Sequence, residues 1–150
     1  MNIPALFEKL EVATLPPIKQ IEAVEFYLKA NFSDIQLTFP LRHYRSHEKY
    51  VREIFLPAGS LLVSKVHNFD HISILSQGEV TIYTHEHGIE HRKAPCTWQE
   101  EAGIKRLIYV NSDTVWNTVH TVEDKTMNTD ELTNYVAHDS DLSWLQERLQ

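Results

Sequence analysis

Hydrophobic and polar residues recur with two different periods along the chain, and the change of period divides it into three parts. Behind Pro17, apolar residues recur at helical spacing: Ile18, Ile21, Val24 and Leu28. In the middle of the chain the spacing becomes that of strands, and helical spacing returns near the end. The pattern therefore predicts a helical N-terminal extension over 1–49, a β region over 50–121 and a helical C-terminal segment over 122–150.

The middle part consists of short strand-like runs separated by turn residues. Six runs fit this description: 50–56, 61–67, 71–75, 79–84, 106–110 and 114–121. Pro57-Ala58-Gly59 and Gln77-Gly78 are turn signatures between them. Short strands at regular intervals predict an antiparallel sandwich or barrel, so we expect a mainly β, single-domain fold with helices at both ends.

The flanking parts are predicted from their capping signals. The N-terminal helix is expected to end before Pro40. Near the other end, Thr129 is expected to cap one helix and Ser140 a second, since each precedes apolar residues at helical spacing. Those residues are Leu132, Tyr135 and Val136 in the first helix and Leu142, Leu145 and Leu149 in the second.

Composition narrows the function classes. The 150 residues are 42% hydrophobic and carry a formal net charge of −7, of which residues 121–150 contribute −5 through seven acidic and two basic side chains. No basic stripe exists to follow a phosphate backbone, which argues against nucleic-acid binding. A single cysteine, Cys96, no signal-peptide pattern and no long apolar run predict a cytoplasmic protein that does not act in a membrane.

The glycines of the β region frame a group of candidate ligands. Gly59 is followed, after five residues, by Lys65-Val66-His67. Three residues separate His67 from His71, and six separate His71 from Gly78. This spacing resembles the first motif of the cupin superfamily, in which a glycine, two histidines, a glutamate and a second glycine recur at the same intervals.

On that motif Lys65 stands at the first histidine, His67 matches the second, and His71 stands at the glutamate. The second cupin motif is degenerate here, with a match at Gly103 and Arg106 at the position of its histidine. The run from 50 to 120 is also similar to small cupin-like proteins encoded in tailed-phage genomes. The resemblance implies a single small jelly-roll β-barrel of the cupin type.

In cupins the motif residues project into the barrel and hold a divalent metal, so the resemblance implies a metal site. Because residues of equal parity share a strand face, His120 on the last run could supply a third imidazole beside His67 and His71. Three imidazoles with an open coordination position would suit zinc, iron, nickel or copper.

Two motif positions are cationic, and they support a different interpretation. Lys65 and Arg106 would make a positive pocket in an acidic protein, and two cations oppose metal binding. A bound carboxylate or phosphate would give them a partner. The alternative is that each pairs with an internal carboxylate such as Glu53 or Glu79, or extends to solvent.

These residues support two hypotheses. The first is a divalent-metal-dependent enzyme or sensor for a small anionic molecule, with the metal on His67, His71 and His120. The second is a non-catalytic binding module for an anionic ligand or a protein partner, with no metal. In both, Tyr83 and Tyr109 could line the pocket as polar-tipped aromatics. We also expect a homodimer formed through exposed strand edges, which a monomeric mass by light scattering would contradict.

Overall fold

The computed structural model describes residues 1–32 and 39–148 of the chain. Its helices are α1 (Ile3–Lys9), α2 (Pro17–Asn31), α3 (Thr129–Val136) and α4 (Ser143–Arg148). Its strands are β1 (Leu41–Ser46), β2 (Lys49–Leu56), β3 (Leu61–Val63), β4 (Val66–His67), β5 (His71–Thr84), β6 (Gly88–Lys93), β7 (Cys96–Glu100), β8 (Arg106–Thr121) and β9 (Ala137–His138). The fold is mainly β and antiparallel, as predicted.

Two long strands, β5 and β8, organise the sheet because each takes different partners along its two halves. The order β1-β2-β8-β5 includes the first half of β5, which also pairs with β7, and we call this the first layer. The second half of β5 pairs with β6 and with the start of β8, which carries β3, and we call this the second layer. The strands form this jelly-roll arrangement without closing into a complete hydrogen-bonded ring within the described residues.

A bend at Gly78 carries β5 from one layer to the other. The register with β8 shifts three times between Leu75 and Val80, and Gly78 has a φ of +96°. A Cβ at this position would overlap the Thr114 side chain and the Asp113 carbonyl, so only glycine allows the two long strands to approach here. The predicted turn at Gln77-Gly78 is therefore wrong, because these residues form a bulge, and the runs 71–75 and 79–84 belong to one strand, β5.

The hydrophobic core has three parts. One lies between the two layers and includes Leu56, Leu75 and Trp116. A second lies between α1, α2 and the outer side of the second layer, where Ile21 and Leu107 are fully buried. The third joins α3 to the end of the first layer, and its buried residues are Tyr50, Val122, Leu132, Val136 and Ala137.

The N-terminal prediction is correct for the helices and wrong for the residues after them. α2 begins at Pro17 and buries Ile21 and Val24 against the sheet, as its spacing predicts. Residues 41–46, however, form strand β1 and not part of a helical extension. β1 is an edge strand with mostly exposed side chains, which explains its weak hydrophobic signal. The homodimer through such edges stays a prediction.

Other strand boundaries also differ from the prediction. The run 61–67 is two short strands, because β3 pairs with β8 whereas β4 pairs with β9 near the C-terminus. The runs 106–110 and 114–121 are one continuous strand, β8. Two polar strands, β6 and β7, were not predicted, since only alternate residues are partly buried in them.

The acidic C-terminal segment packs on the sheet, and its caps differ from those predicted. Asn128 caps α3 and forms a capping box with Glu131, so Thr129 is the first helical residue and not the cap. Ser140 accepts a hydrogen bond from Lys105, and Asp141 accepts one from the backbone N–H of Ser143 at the start of α4. Leu149, predicted to belong to the apolar side of the last helix, lies outside the described residues. No helix in the described ranges is both long and apolar enough to cross a membrane.

Candidate functional site

A cavity of about 280 Å³ lies between the two layers, beneath α3 and β9. Inward-facing residues of β2, β3 and β8 form its walls, and three residues of the C-terminal segment cover it: Thr133, Val136 and Ala137. Most of the wall is apolar. Its polar groups are Arg52, Ser64, Lys65, His67, Arg106, Trp116, Thr118 and Thr133.

Arg52 lines this cavity from strand β2. It lies on the inward face of β2, two residues from Tyr50, which is fully buried, and two from Ile54, which lines the same wall. Its Nε atom is buried and has no hydrogen-bond partner, and no carboxylate within the described residues forms an ion pair with it. Burial lowers the pKa of Arg52, which the Tyr50 hydroxyl partly opposes. The guanidinium nevertheless stays charged.

Arg106 is also buried, but its donors are occupied. Its Nε donates to Glu100 Oε1 at 3.1 Å, and both side chains are under one tenth exposed. Glu100 Oε1 also accepts from Trp98 Nε1 at 2.5 Å. The sequence left open whether Arg106 pairs with an internal carboxylate or binds an anion. In the structure it pairs with a carboxylate, that of Glu100.

Two histidines complete the partner set of Arg106. Its terminal nitrogens make long hydrogen bonds to His67 Nδ1 at 3.4 Å and to His71 Nε2 at 3.5 Å. Because a guanidinium can only donate, both imidazole nitrogens must accept. His71 Nδ1 lies 3.2 Å from the Phe69 carbonyl, which can only accept, so His71 carries its proton on Nδ1. Both imidazoles are thus neutral acceptors.

The three predicted metal ligands do lie together. Their ring centroids are 4.2 Å apart for His67 and His71, 4.8 Å for His71 and His120, and 5.7 Å for His67 and His120. Burial lowers the pKa of His67 to about 2 and that of His120 to about 3, and it lowers the pKa of His71. Neighbouring Arg106 lowers all three further, since a second positive charge there is unfavourable.

The orientation of these rings does not fit a shared metal ion. The planes of His67 and His120 are within 14° of parallel, and those of His71 and His120 within 27°. A bound metal lies close to the plane of each imidazole that holds it, and because these two pairs of rings are stacked face to face, their nitrogens point along separate planes and not at one ion. Within the described residues no group of three or more His, Cys, Asp or Glu side chains is arranged to hold a metal. The metal site stays a prediction without geometric support.

The remaining predicted ligand residues lie at the margin of the cavity or outside it. Lys65 lines the cavity at its rim, and its side chain is exposed. Tyr83 faces the helices, where its hydroxyl donates to Gln20 Oε1 at 2.8 Å and its ring contacts Phe7. Tyr109 is not among the residues that line the cavity. The predicted contact of these two tyrosines with a ligand in the cavity is therefore not supported by their positions.

Arg52 lies outside the cupin motif positions, but its place in the sequence of β2 indicates that it faces the interior. On β2 the residues of even number face inward, and Tyr50, Ile54 and Leu56 are all apolar or aromatic there. Arg52 is the one charged residue in this series, which is the pattern expected of a functional group on a buried strand face. Lys105, which is fully buried, had no such signal because it lies in a connection and not in a strand.

No protein-family model matches the chain, and no curated protein matches it. Solved structures to which the chain has a likeness include an RmlC-like cupin family protein from Methanocaldococcus jannaschii, with 18% identity, 57% of this chain and 82% of that chain covered, and a TM-score of 0.48. A cupin-2 domain containing protein from Shewanella frigidimarina has 11% identity, 68% and 97% coverage, and a TM-score of 0.47.

A cupin superfamily protein from Desulfitobacterium hafniense has 10% identity, 57% and 79% coverage, and a TM-score of 0.48. These likenesses say nothing about activity. The first-motif residues between Gly59 and Gly78 lie on and between β3, β4 and β5, and Lys65 and His67 line the cavity between the layers. The chain itself has a mainly β, antiparallel jelly-roll fold with helices at both ends.

Proposed function

We propose that this protein binds a small anionic molecule in the cavity between its layers, without a metal ion. The observation that carries the proposal is the partly buried side chain of Arg52, whose buried Nε has no hydrogen-bond partner and which forms no ion pair with a carboxylate in the described part of the chain. A cation that is largely removed from water without a counter-ion is unfavourable. A bound anion would remove that cost and would accept the free N–H groups.

The other charges near the cavity do not supply this counter-ion. Glu100 is already shared between Arg106 and Trp98. His67 and His71 accept hydrogen bonds from Arg106 and carry no charge. Among the described residues, the interior around the cavity therefore holds one cation more than it holds anions, which favours the non-catalytic binding module over the metal-dependent enzyme.

A titration of the purified protein with anions of several classes tests this function. We expect isothermal calorimetry to detect binding of at least one of acetate, benzoate, malonate and inorganic phosphate, with a higher melting temperature in its presence, because a ligand that binds only the folded state stabilises it. Native mass spectrometry would also reveal a molecule retained through purification. If no anion binds at millimolar concentration, the proposed function is wrong.

A metal-dependent enzyme or sensor remains the second candidate, because three neutral imidazoles lie within 6 Å of one another between ring centroids. Neutral imidazole is the form that binds transition metals. Metal content measured by mass spectrometry on tag-free, chelator-free protein separates the candidates. Near-stoichiometric zinc, iron, nickel or copper that is lost in the His67→Ala/His71→Ala variant would favour this second function.

A further inference from the structure

The charge of the ligand can be deduced from the groups that face Arg52. The cross-strand neighbour of Arg52 on β8 is Thr118, and the α3 residue on the same cavity wall is Thr133. The nearest titratable groups are Tyr50, His67 and His120. None of these side chains brings a negative charge, and His67 is held neutral as an acceptor for Arg106. One positive charge is left to be balanced.

Apolar residues make up most of the rest of the cavity surface. The apolar residues that line it are Phe39, Ile54, Leu56, Leu62, Val63, Ile108, Val136 and Ala137, and the Trp116 ring adds an aromatic face. This apolar part of the wall offers no hydrogen-bond partners, and each unpaired polar group placed against it would weaken binding. The ligand that would fit this cavity is a molecule with one charged end and an apolar body.

We propose that the ligand is a small monocarboxylate with an apolar body, whose carboxylate pairs with Arg52 and whose body packs against Ile54, Leu62 and Trp116. This inference rests on the proposed function and specifies the ligand class for the same cavity. A carboxylate matches the paired N–H groups of a guanidinium in two parallel hydrogen bonds. The buried Nε of Arg52 is one of the N–H groups available to it.

A phosphate group fits the cavity less well for reasons of charge and geometry. A phosphate monoester carries about −1.5 to −2 charges at neutral pH and three strong acceptor oxygens. Arg52 offers a single charge, and apart from the hydroxyl groups of Thr118 and Thr133 the walls beside it are mainly apolar. A dicarboxylate likewise carries more negative charge than the single positive charge of Arg52 can balance. The volume of about 280 Å³ is small for a ligand pocket and favours an acid the size of a single ring or a short branched chain.

Matched probes on the wild-type protein test the ligand class. Benzoate, benzamide, phenyl phosphate and phthalate share one ring and differ in charge and acceptor geometry. Calorimetric titration should show benzoate binding at least about tenfold more tightly than each of the other three, because only benzoate has one carboxylate and no further polar group. Hexanoate should bind as well, since the apolar walls set no requirement for a ring.

Variants of Arg52 test the position of the carboxylate. Arg52→Met should weaken benzoate binding by at least about 30-fold, and Arg52→Lys should restore only part of it because an ammonium cannot donate in parallel. Arg42→Met, which removes an exposed arginine from neighbouring β1, is the matched control and should bind as the wild type does. Circular dichroism and the melting temperature show whether each variant is folded.

The outcomes separate this inference from the proposed function. If phenyl phosphate or phthalate binds more tightly than benzoate, an anion site exists but the monocarboxylate assignment is wrong. If benzamide equals benzoate, or folded Arg52→Met binds benzoate normally, the pairing with Arg52 is wrong. If none of the anions binds, both the inference and the proposed function fail. The wild-type comparison decides the ligand class even if the Arg52 variants do not fold.

Discussion

Two cations, the fully buried Lys105 and the partly buried Arg52, differ in how many of their hydrogen-bond donors have a partner within the protein. Lys105 is fully buried between α2 and the sheet, and its Nζ donates to Glu25 Oε1 at 3.0 Å and to Ser140 Oγ at 2.6 Å. Arg52 lies on the cavity wall with a buried Nε that has no partner among the described residues. The first cation joins three parts of the chain, whereas the second faces an open space.

This contrast separates a structural role from a binding role. A buried charge with a complete set of partners stabilises one arrangement of the chain and leaves nothing for a ligand to contribute. A buried charge without a counter-ion lowers the stability of the ligand-free protein, and a bound anion would restore that stability. Arg106 resembles Lys105 in this respect, since Glu100, His67 and His71 accept its hydrogen bonds.

The largest expected effect comes from removing the fully paired cation. Lys105→Met should lower the free energy of unfolding by about 3–5 kcal/mol, because the Glu25 carboxylate would stay buried without its main partner. Urea unfolding followed by circular dichroism measures the change. Lys29→Met, which removes the exposed lysine 3.8 Å from the same carboxylate, should cost less than about 1 kcal/mol.

The double variant Lys105→Met/Glu25→Gln shows whether the loss comes from the unpaired carboxylate. We expect it to recover more than half of the stability lost in Lys105→Met, because no buried charge then remains at this place. If Lys105→Met is as stable as the wild type, the pair does not have the structural role that its burial indicates.

Acidification should lower the stability of the protein through the buried histidines near the cavity. The folded-state pKa values of His67 and His120, about 2 and about 3, lie below the value of 6.5 for an unfolded histidine. The unfolded chain therefore binds more protons below pH 6.5, so stability is complete above that pH and falls as the pH decreases toward the folded-state values. At pH 5 the loss is at most about 2 kcal/mol per histidine.

Unfolding free energies at pH 7 and pH 5 measure this loss. His120→Asn should reduce the difference between the two values, since it removes one group that titrates on unfolding. His87→Gln, in which an exposed histidine is replaced, should leave the difference unchanged. Equal stability of the wild type at both pH values would contradict the prediction.

The parts of the fold that sequence predicted are those with one strongly apolar face. β2 was predicted almost to the residue because Tyr50 and Leu56 are buried on the side that faces the core. β1, β6 and β7 were missed because polar edge strands bury little and their alternation is weak. The bend at Gly78 has the local sequence of a turn, but its cause is the approach of Thr114, a residue distant in sequence.

The candidate site was also predicted only in part from the sequence. Strand parity and the motif spacing brought His67, His71 and His120 into one group, and the rings do lie together. The spacing could not predict the orientation of the rings, which depends on hydrogen bonds from Arg106 to His67 and His71 and on the contact of His120 with Thr118. Arg52 was missed because it matches no motif position, although its parity with buried neighbours on β2 was visible.

Arg52 and Lys105 should respond to substitution with opposite signs. In the ligand-free protein, Arg52→Met should raise the free energy of unfolding by about 1 kcal/mol, because it replaces a partly buried cation that lacks a counter-ion with a side chain that suits the apolar wall. Urea unfolding at pH 7, in buffer without carboxylates, measures the change. A loss of about 3 kcal/mol or more would mean that Arg52 has structural partners as Lys105 does, and the proposed anion site would lose its basis.

The smallest effect is expected at Lys65, which the motif resemblance placed at a ligand position. Its side chain is exposed at the cavity rim, so water already solvates the ammonium group and little free energy depends on a partner. Lys65→Met should change stability by less than about 0.5 kcal/mol and benzoate affinity by less than about threefold. Any effect on affinity should disappear in high salt, since it acts through screened long-range attraction. A loss of binding as large as that in Arg52→Met, measured by calorimetry in high salt, would show that the rim and not the buried wall holds the anion.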